Sequence, residues 1–194
     1  MNVIVLGPQG SGKGTQAKKI ASVYGVPHIA TGDMIREMKE RPTDLGRELR
    51  DIYDRGDLVG DEMMIRLIRD RLDRGDTFPG FVLDGFPRTL VQAEALDDLM
   101  NELGRPVDVV FDLQVPDRQQ LLDRLLKRAA EENRSDDTPE GIHRRLELYE
   151  RETAPLVEYY RSTRGNVVGI HADRAIDDVF HEITESLDQV QARA

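Results

Sequence analysis

Short apolar, β-branched runs recur along the chain at residues 2–6, 26–29, 81–83, 107–113 and 167–170. The segments between them carry helical periodicity instead. A helix-permissive stretch covers residues 16–23. Asp61 is placed to cap a helix running through Ile65, Leu67, Ile68 and Leu72 to a stop near Gly75. Thr89 begins another, with Ala93, Leu96, Leu99, Met100 and Leu103 on one side and Gly104 at its end. Pro116 opens a third, carrying Leu121, Leu122, Leu125 and Leu126. Pro139 suits the first turn of a long helix through Leu146 and Tyr149, disturbed at Pro155, and a last helix spans about residues 175–191. Strands alternating with helices predict an α/β fold, a five-stranded parallel sheet with helices on both faces. Such sheets bind ligands beyond the C-terminal ends of their strands. Three segments that follow apolar runs should therefore gather at one edge: the glycine-rich turn after Leu6, Ala30-Thr31-Gly32-Asp33, and Asp84-Gly85-Phe86-Pro87-Arg88.

The first of these reads Gly-Pro-Gln-Gly-Ser-Gly-Lys-Gly-Thr from Gly7 to Thr15. Glycines let the backbone wrap an anion closely, and the following helix presents unpaired N–H groups and the positive end of its dipole. Lys13 adds a mobile charge. The spacing fits a phosphate loop (P-loop), with one departure. The general pattern places Ser or Thr directly after the lysine, and here Gly14 stands there with the hydroxyl one place later, at Thr15. A dinucleotide fingerprint fits poorly, because Thr15 occupies the position of its third glycine. Asp84, at the end of an apolar run beside this loop, is suited to holding Mg²⁺ directly or through water.

Composition narrows the class. A chain of 194 residues forms one domain, or one core with small inserted lobes. There is no cysteine, hence no disulfide framework and no cysteine-based zinc site. The four histidines have no ligand spacing. The net charge of −10 argues against general nucleic-acid binding. No apolar run approaches a membrane span, and the N-terminus shows no signal-peptide pattern, so a cytoplasmic protein is expected.

The motifs Gly-Ser-Gly-Lys-Gly-Thr-Gln (10–16), Thr-Gly-Asp-Met-Ile-Arg (31–36), Leu-Asp-Gly-Phe-Pro-Arg-Thr (83–89) with Gln92, and Arg-Ser-Asp-Asp (134–137) together resemble the adenylate kinase family, in order along the whole chain. In that family Gly-Thr follows the lysine. The resemblance implies a single P-loop kinase domain (1–194) with an AMP-binding lobe (30–59) and a short ATP lid (129–138). It implies reversible phosphoryl transfer from MgATP to AMP, giving two ADP. Gly10, Ser11, Gly12, Lys13, Gly14 and Thr15 would cradle the ATP phosphates. Arg124, Arg128 and the chain near Arg174 would serve the ATP side. Thr31, Arg36, Asp57, Leu58, Val59, Gly85, Phe86, Pro87, Arg88 and Gln92 would hold AMP, with Gln92 on its adenine. Arg134 and Arg145 would converge on the transferring phosphate, with Lys13, Arg88, Arg128 and Asp84 completing the catalytic set. Mg²⁺ would be held mainly by nucleotide phosphates and waters near Thr15 and Asp84. The short lid leaves no room for a zinc-bearing insertion, so no zinc is expected. A monomer is expected, as is usual for the family at this length. Arg144 and Arg145 are adjacent and cannot both face the site. Arg145 is the one expected there.

Two departures from the family pattern bear on the lid. It is short, and Thr138-Pro139-Glu140-Gly141 follows the paired aspartates where glutamates are often found. The nearest alternative is a UMP/CMP-type kinase, whose members often carry Asn after Asp-Gly-Phe-Pro-Arg. Here Thr89 stands in that place. A nucleotide hydrolase or switch would need a positioned water, and the arginines and the 84–88 segment suit a second phosphate ligand better. A non-catalytic nucleotide-binding subunit would be expected to have lost part of the site, and no part is missing.

Overall fold

The computed structural model describes residues 1–132 and 138–192. Five parallel strands, β1 (Asn2–Leu6), β2 (His28–Ala30), β3 (Phe81–Asp84), β4 (Val109–Gln114) and β5 (Val167–His171), form one sheet in the order β2-β3-β1-β4-β5. The expected α/β architecture is what the chain adopts. The strand register brings Val5 and Ala30 level with Asp84, and Leu6 level with Asp112. The C-terminal ends of four strands thus finish together. The chain leaves β1 toward β2 on one side and later continues to β4 and β5 on the other. The glycine turn after β1 therefore sits where the strand order reverses, the usual ligand position in such sheets.

The helices are α1 (Lys13–Tyr24), α2 (Thr31–Lys39), α3 (Asp44–Asp54), α4 (Asp61–Leu72), α5 (Leu90–Glu102), α6 (Arg118–Glu132), α7 (Pro139–Leu148), α8 (Pro155–Thr163) and α9 (Ile176–Gln191). Every residue of β1 is buried, and its alternation divides the core. Val3 and Val5 pack with Ala17 and Ile20 of α1, Leu125 of α6 and Ile183 and Leu187 of α9. Ile4 and Leu6 pack with Ile68 of α4, Leu96 of α5 and Leu156 and Tyr160 of α8. Each such fully buried Val, Leu or Ile side chain contributes about 1.5–3 kcal/mol, so both faces anchor the central strand.

Local signals placed several boundaries correctly. Thr89 caps α5 by accepting from the Gln92 amide N–H at 3.3 Å. Thr138 caps α7 by accepting from Gly141 N–H, with Pro139 in the first turn. Other expectations need correction. Asp61 is not the cap of α4: Gly60 holds that position, and the Asp61 carboxylate accepts from side chains of α5 and its cap. The third helix starts at Arg118, not Pro116, after Asp117 Oδ1 takes the Gln119 N–H at 2.8 Å. The strand expected at 26–29 starts two residues later and ends one later, because Val26 still closes α1 through a bond to Ala21 O. Before Pro155 the long helix becomes one π-helical turn, Tyr149–Thr153, since proline supplies no N–H to continue the ladder. Helix α6 continues to Glu132, so residues 129–132 are helical. Among the described residues no helix is long and apolar enough to cross a membrane.

Candidate functional site

The three segments expected at one edge do lie together there. After β1, Gly7, Gly10 and Gly12 all take positive φ, and Gly12 enters α1 at φ 88° without a side-chain cap. The N–H groups of the first turn therefore keep no side-chain partner from the cap position. A Cβ on Gly10 would stand 2.9 Å from Leu121 O, so α6 can lie this close only against glycine. A Cβ on Gly14 would come 3.2 Å from Asp84 Oδ2. The odd glycine after the lysine thus leaves room for the carboxylate of the neighbouring strand. Thr15, in the first turn of α1, is exposed and lines the slot that runs along the loop.

Lys13 is half-buried, with its ammonium 3.4 Å from Pro8 O. Burial lowers its pKa to about 8; Asp84 opposes this, and Arg88, Arg128 and Arg145 reinforce it. Burial would raise the Asp84 carboxyl. The His28 imidazole, with Nε2 3.5 Å from Oδ2, outweighs it together with Lys13 and Arg88, and the carboxyl lies below its ordinary value. Asp84 Oδ1 is buried and accepts no hydrogen bond among the described residues. Burial lowers Arg88 from its usual value against the pull of Asp84, and its Nε donates to Gly85 O at 2.7 Å. Thr31 Oγ donates to the same carbonyl at 2.8 Å. Gly85 has φ 79°, and a Cβ there would lie 2.7 Å from Thr31 Oγ1.

Three cavities meet at this edge. The central one is lined by Lys13, Asp84 and four arginines: Arg36, Arg88, Arg128 and Arg145. Arg145 is 9 % exposed, while its neighbour Arg144 is turned outward and ion-paired with Asp57. Burial lowers Arg36, but Tyr53 and Asp33 outweigh it and raise the guanidinium. On one side runs a slot along residues 10–16, with Arg124, Arg128, Arg174, Ile176 and Val179. Arg124 Nη1 donates to Ala172 O at 2.9 Å and reaches Gly10 O at 3.4 Å. Arg174 is exposed and tied to His171 O and Glu182. On the other side is a smaller, mostly apolar slot holding Ile35, Leu58, Val59 and Met64, with Thr31 and Gln92. Asp57 lines both this slot and the central cavity.

Of the expected site residues, Phe86 and Pro87 line none of these three cavities. The Phe86 side chain is 1 % exposed in the core, so only backbone from that position faces the site. Arg134 lies outside the described residues. Several residues at the site escaped sequence reasoning, three of them held there by polar or pairing contacts from elsewhere in the chain. His28 is carried in by the β2–β3 pairing, and Tyr53 by the fold of α3 over α2. Thr153 Oγ donates to Arg88 O at 2.8 Å from the π-helical turn. No local signal marks any of them, because each arrives from a distant part of the chain. Among the described residues, no three His, Asp or Glu side chains are grouped to hold a metal ion by themselves.

Fold and site define a P-loop protein with two slots that meet in a cationic cavity. The model of the family described as Adenylate kinase matches residues 5–165. An adenylate kinase of Cyanothece sp. is 43% identical over 189 residues, covering 97% of this chain and 96% of the relative. One of Bifidobacterium longum is 43% identical over 97% of this chain and all of the relative, and one of Archaeoglobus fulgidus is 37% identical over 99% of this chain and all of its own length. The chain belongs to the adenylate kinase family. It is an enzyme, a nucleotide-binding kinase.

Proposed function

We infer that the enzyme transfers a phosphoryl group reversibly between MgATP and AMP, giving two ADP. The meeting of two slots at one cluster of cations is the observation that carries this reading. A hydrolase needs one nucleotide and a water, whereas this edge has a second slot with an apolar floor suited to a base. The donor phosphates would lie on residues 10–15, with Lys13 on their outer oxygens and Arg124, Arg128 and the chain near Arg174 along the nucleotide. The acceptor would lie with its base among Ile35, Leu58, Val59 and Gln92, and its phosphate toward Arg36 and Arg88.

Both substrates are anionic and repel one another, so the residues must neutralise charge, align the acceptor and exclude water. Lys13, Arg88, Arg128 and Arg145 converge for the first task, joined in this reading by Arg134. The acceptor phosphate oxygen is already ionised, so no general base is required. Mg²⁺ bound with ATP would supply further neutralisation of charge on the phosphates. The buried, unpartnered Oδ1 of Asp84 beside the loop suits a water of its hydration shell. Residues 30–59 would form the AMP-binding lobe and 129–138 a short lid. The substrates would be ATP, AMP and ADP, and the enzyme would act as a cytoplasmic monomer, since one chain builds both slots.

A coupled assay tests the reading. ADP alone should yield ATP and AMP together. Phosphate release without AMP consumption would show hydrolysis instead, and UMP or CMP phosphorylated as fast as AMP would show a different acceptor.

A further inference from the structure

Gln92 is 1 % exposed at the inner end of the acceptor slot, and both ends of its amide are held. Its Oε1 accepts the Arg88 backbone N–H at 2.8 Å, and its Nε2 donates to Asp61 Oδ1 at 2.8 Å. Neither contact can be reversed, because a backbone N–H only donates and a carboxylate only accepts. The partners therefore dictate which end of the amide is which. Asp61 is itself held: its Oδ1 also accepts from Thr89 Oγ at 2.9 Å. As the first residue of α4, Asp61 also stands where the helix dipole favours a negative group. An amide nitrogen carries two hydrogens and Asp61 takes one, so Gln92 has one N–H left to offer the slot.

We propose that Asp61 determines acceptor-base selectivity by fixing the Gln92 amide so that an N–H, and not a carbonyl, is presented to the nucleobase. The inference rests on the reading of this slot as the AMP site. A purine whose ring position 1 accepts a hydrogen bond, as in adenine, is then matched. One whose position 1 carries hydrogen, as in hypoxanthine or guanine, sets donor against donor and leaves both unpaired. Asp61 acts through Gln92 and is a positioning residue. It also joins the start of α4 to the start of α5, and a purely structural role would weaken all acceptors alike.

The discriminating probes are AMP and inosine 5′-monophosphate (IMP), which share size and phosphate and differ in hydrogen-bond polarity at positions 1 and 6, of which the Gln92 N–H reads position 1. kcat/KM for each is measured with wild type, Asp61→Ala and the near-isosteric double variant Asp61→Asn/Gln92→Glu. In Asp61→Ala the preference for AMP over IMP should fall about tenfold, mainly through KM for AMP. In the double variant the introduced carboxylate still accepts from Arg88 N–H and now offers an acceptor to the slot, so the preference should turn toward IMP. An equal loss for both nucleotides in Asp61→Ala, or a wild-type preference in the double variant, overturns the proposal while leaving the enzyme's function intact. If Asp61→Ala does not fold, the double variant alone decides. A wild type that phosphorylates no AMP overturns the function, and this inference with it.

Discussion

In the proposed assignment the slot along residues 10–16 takes the donor and the slot at Gln92 takes the acceptor, and the two are built from different parts. The donor slot is built largely from backbone. Its glycines turn through positive φ, its helix start offers N–H groups, and its far wall is tied by Gln16 to Ile176 O at 2.9 Å and by Arg124 to Ala172 O. The acceptor slot is built from side chains on α2, α4, α5 and the 57–59 segment, with Gln92 held at both ends. Backbone groups grip phosphate whatever base is attached, so little on the donor side reads a base. Oriented side chains in an apolar slot read a base closely. Selectivity should therefore be tight for the acceptor and loose for the donor.

The largest effect is expected between the slots, where both nucleotides would need the same charge. Arg88→Met should lower kcat by about 10²–10³, or about 3–4 kcal/mol, in the coupled assay with both substrates saturating. A loss confined to KM for AMP would mean that Arg88 only binds the acceptor. The next test separates the sides. Gly10→Ala strains φ 86° against Leu121 O, and Gly85→Ala strains φ 79° against Thr31 Oγ1. Each should cost about 1–3 kcal/mol. The first should appear in KM for ATP and the second in KM for AMP, and the same shift in both constants from either variant would erase the contrast.

A smaller effect comes from pH. Burial holds the pKa of Lys13 at about 8, so the ammonium is charged below that value and neutral above it. Phosphate binding favours the charged form and raises the pKa in the complex. kcat/KM for ATP should thus be flat below pH 8 and roughly tenfold lower by pH 9, while kcat persists to higher pH. An unbroken profile through pH 9 would remove Lys13 from the donor site. The smallest effect is on Thr153→Val, which deletes the hydroxyl bond to Arg88 O. It should lower stability by about 1 kcal/mol, read by denaturant midpoint, with a modest fall in kcat as the Arg88 turn loosens.

Much of this was legible in the chain because the signals are local. The β1–loop–α1 unit is written in one short run from Asn2 to Thr15, and Thr89 and Pro139 mark helix starts by chemistry within a single turn. The lobe was not legible as structure. Residues 31–54 fold into α2 and α3, yet few of their side chains are fully buried. Leu45, Leu49, Ile52 and Tyr53 do recur at helical spacing, but so small an apolar face was not read as a helix. Asp61 looked like a cap on its own helix. Its carboxylate instead serves α5 and Gln92, a choice made by packing that no spacing records.

The sequence by itself determined that five apolar strands would alternate with helices, that a phosphate loop would follow the first, and that Asp84 would end the third with Arg88 in the turn beyond it. Glycine positions, caps and the period of burial act over a few residues and need no distant partner. Only the tertiary structure decided that β1 would lie between β3 and β4, that Asp61 would turn to Gln92, and that His28, Tyr53 and Thr153 would come up to the site. Those outcomes depend on which faces bury each other across the sheet, and that free energy is shared among residues far apart in the chain.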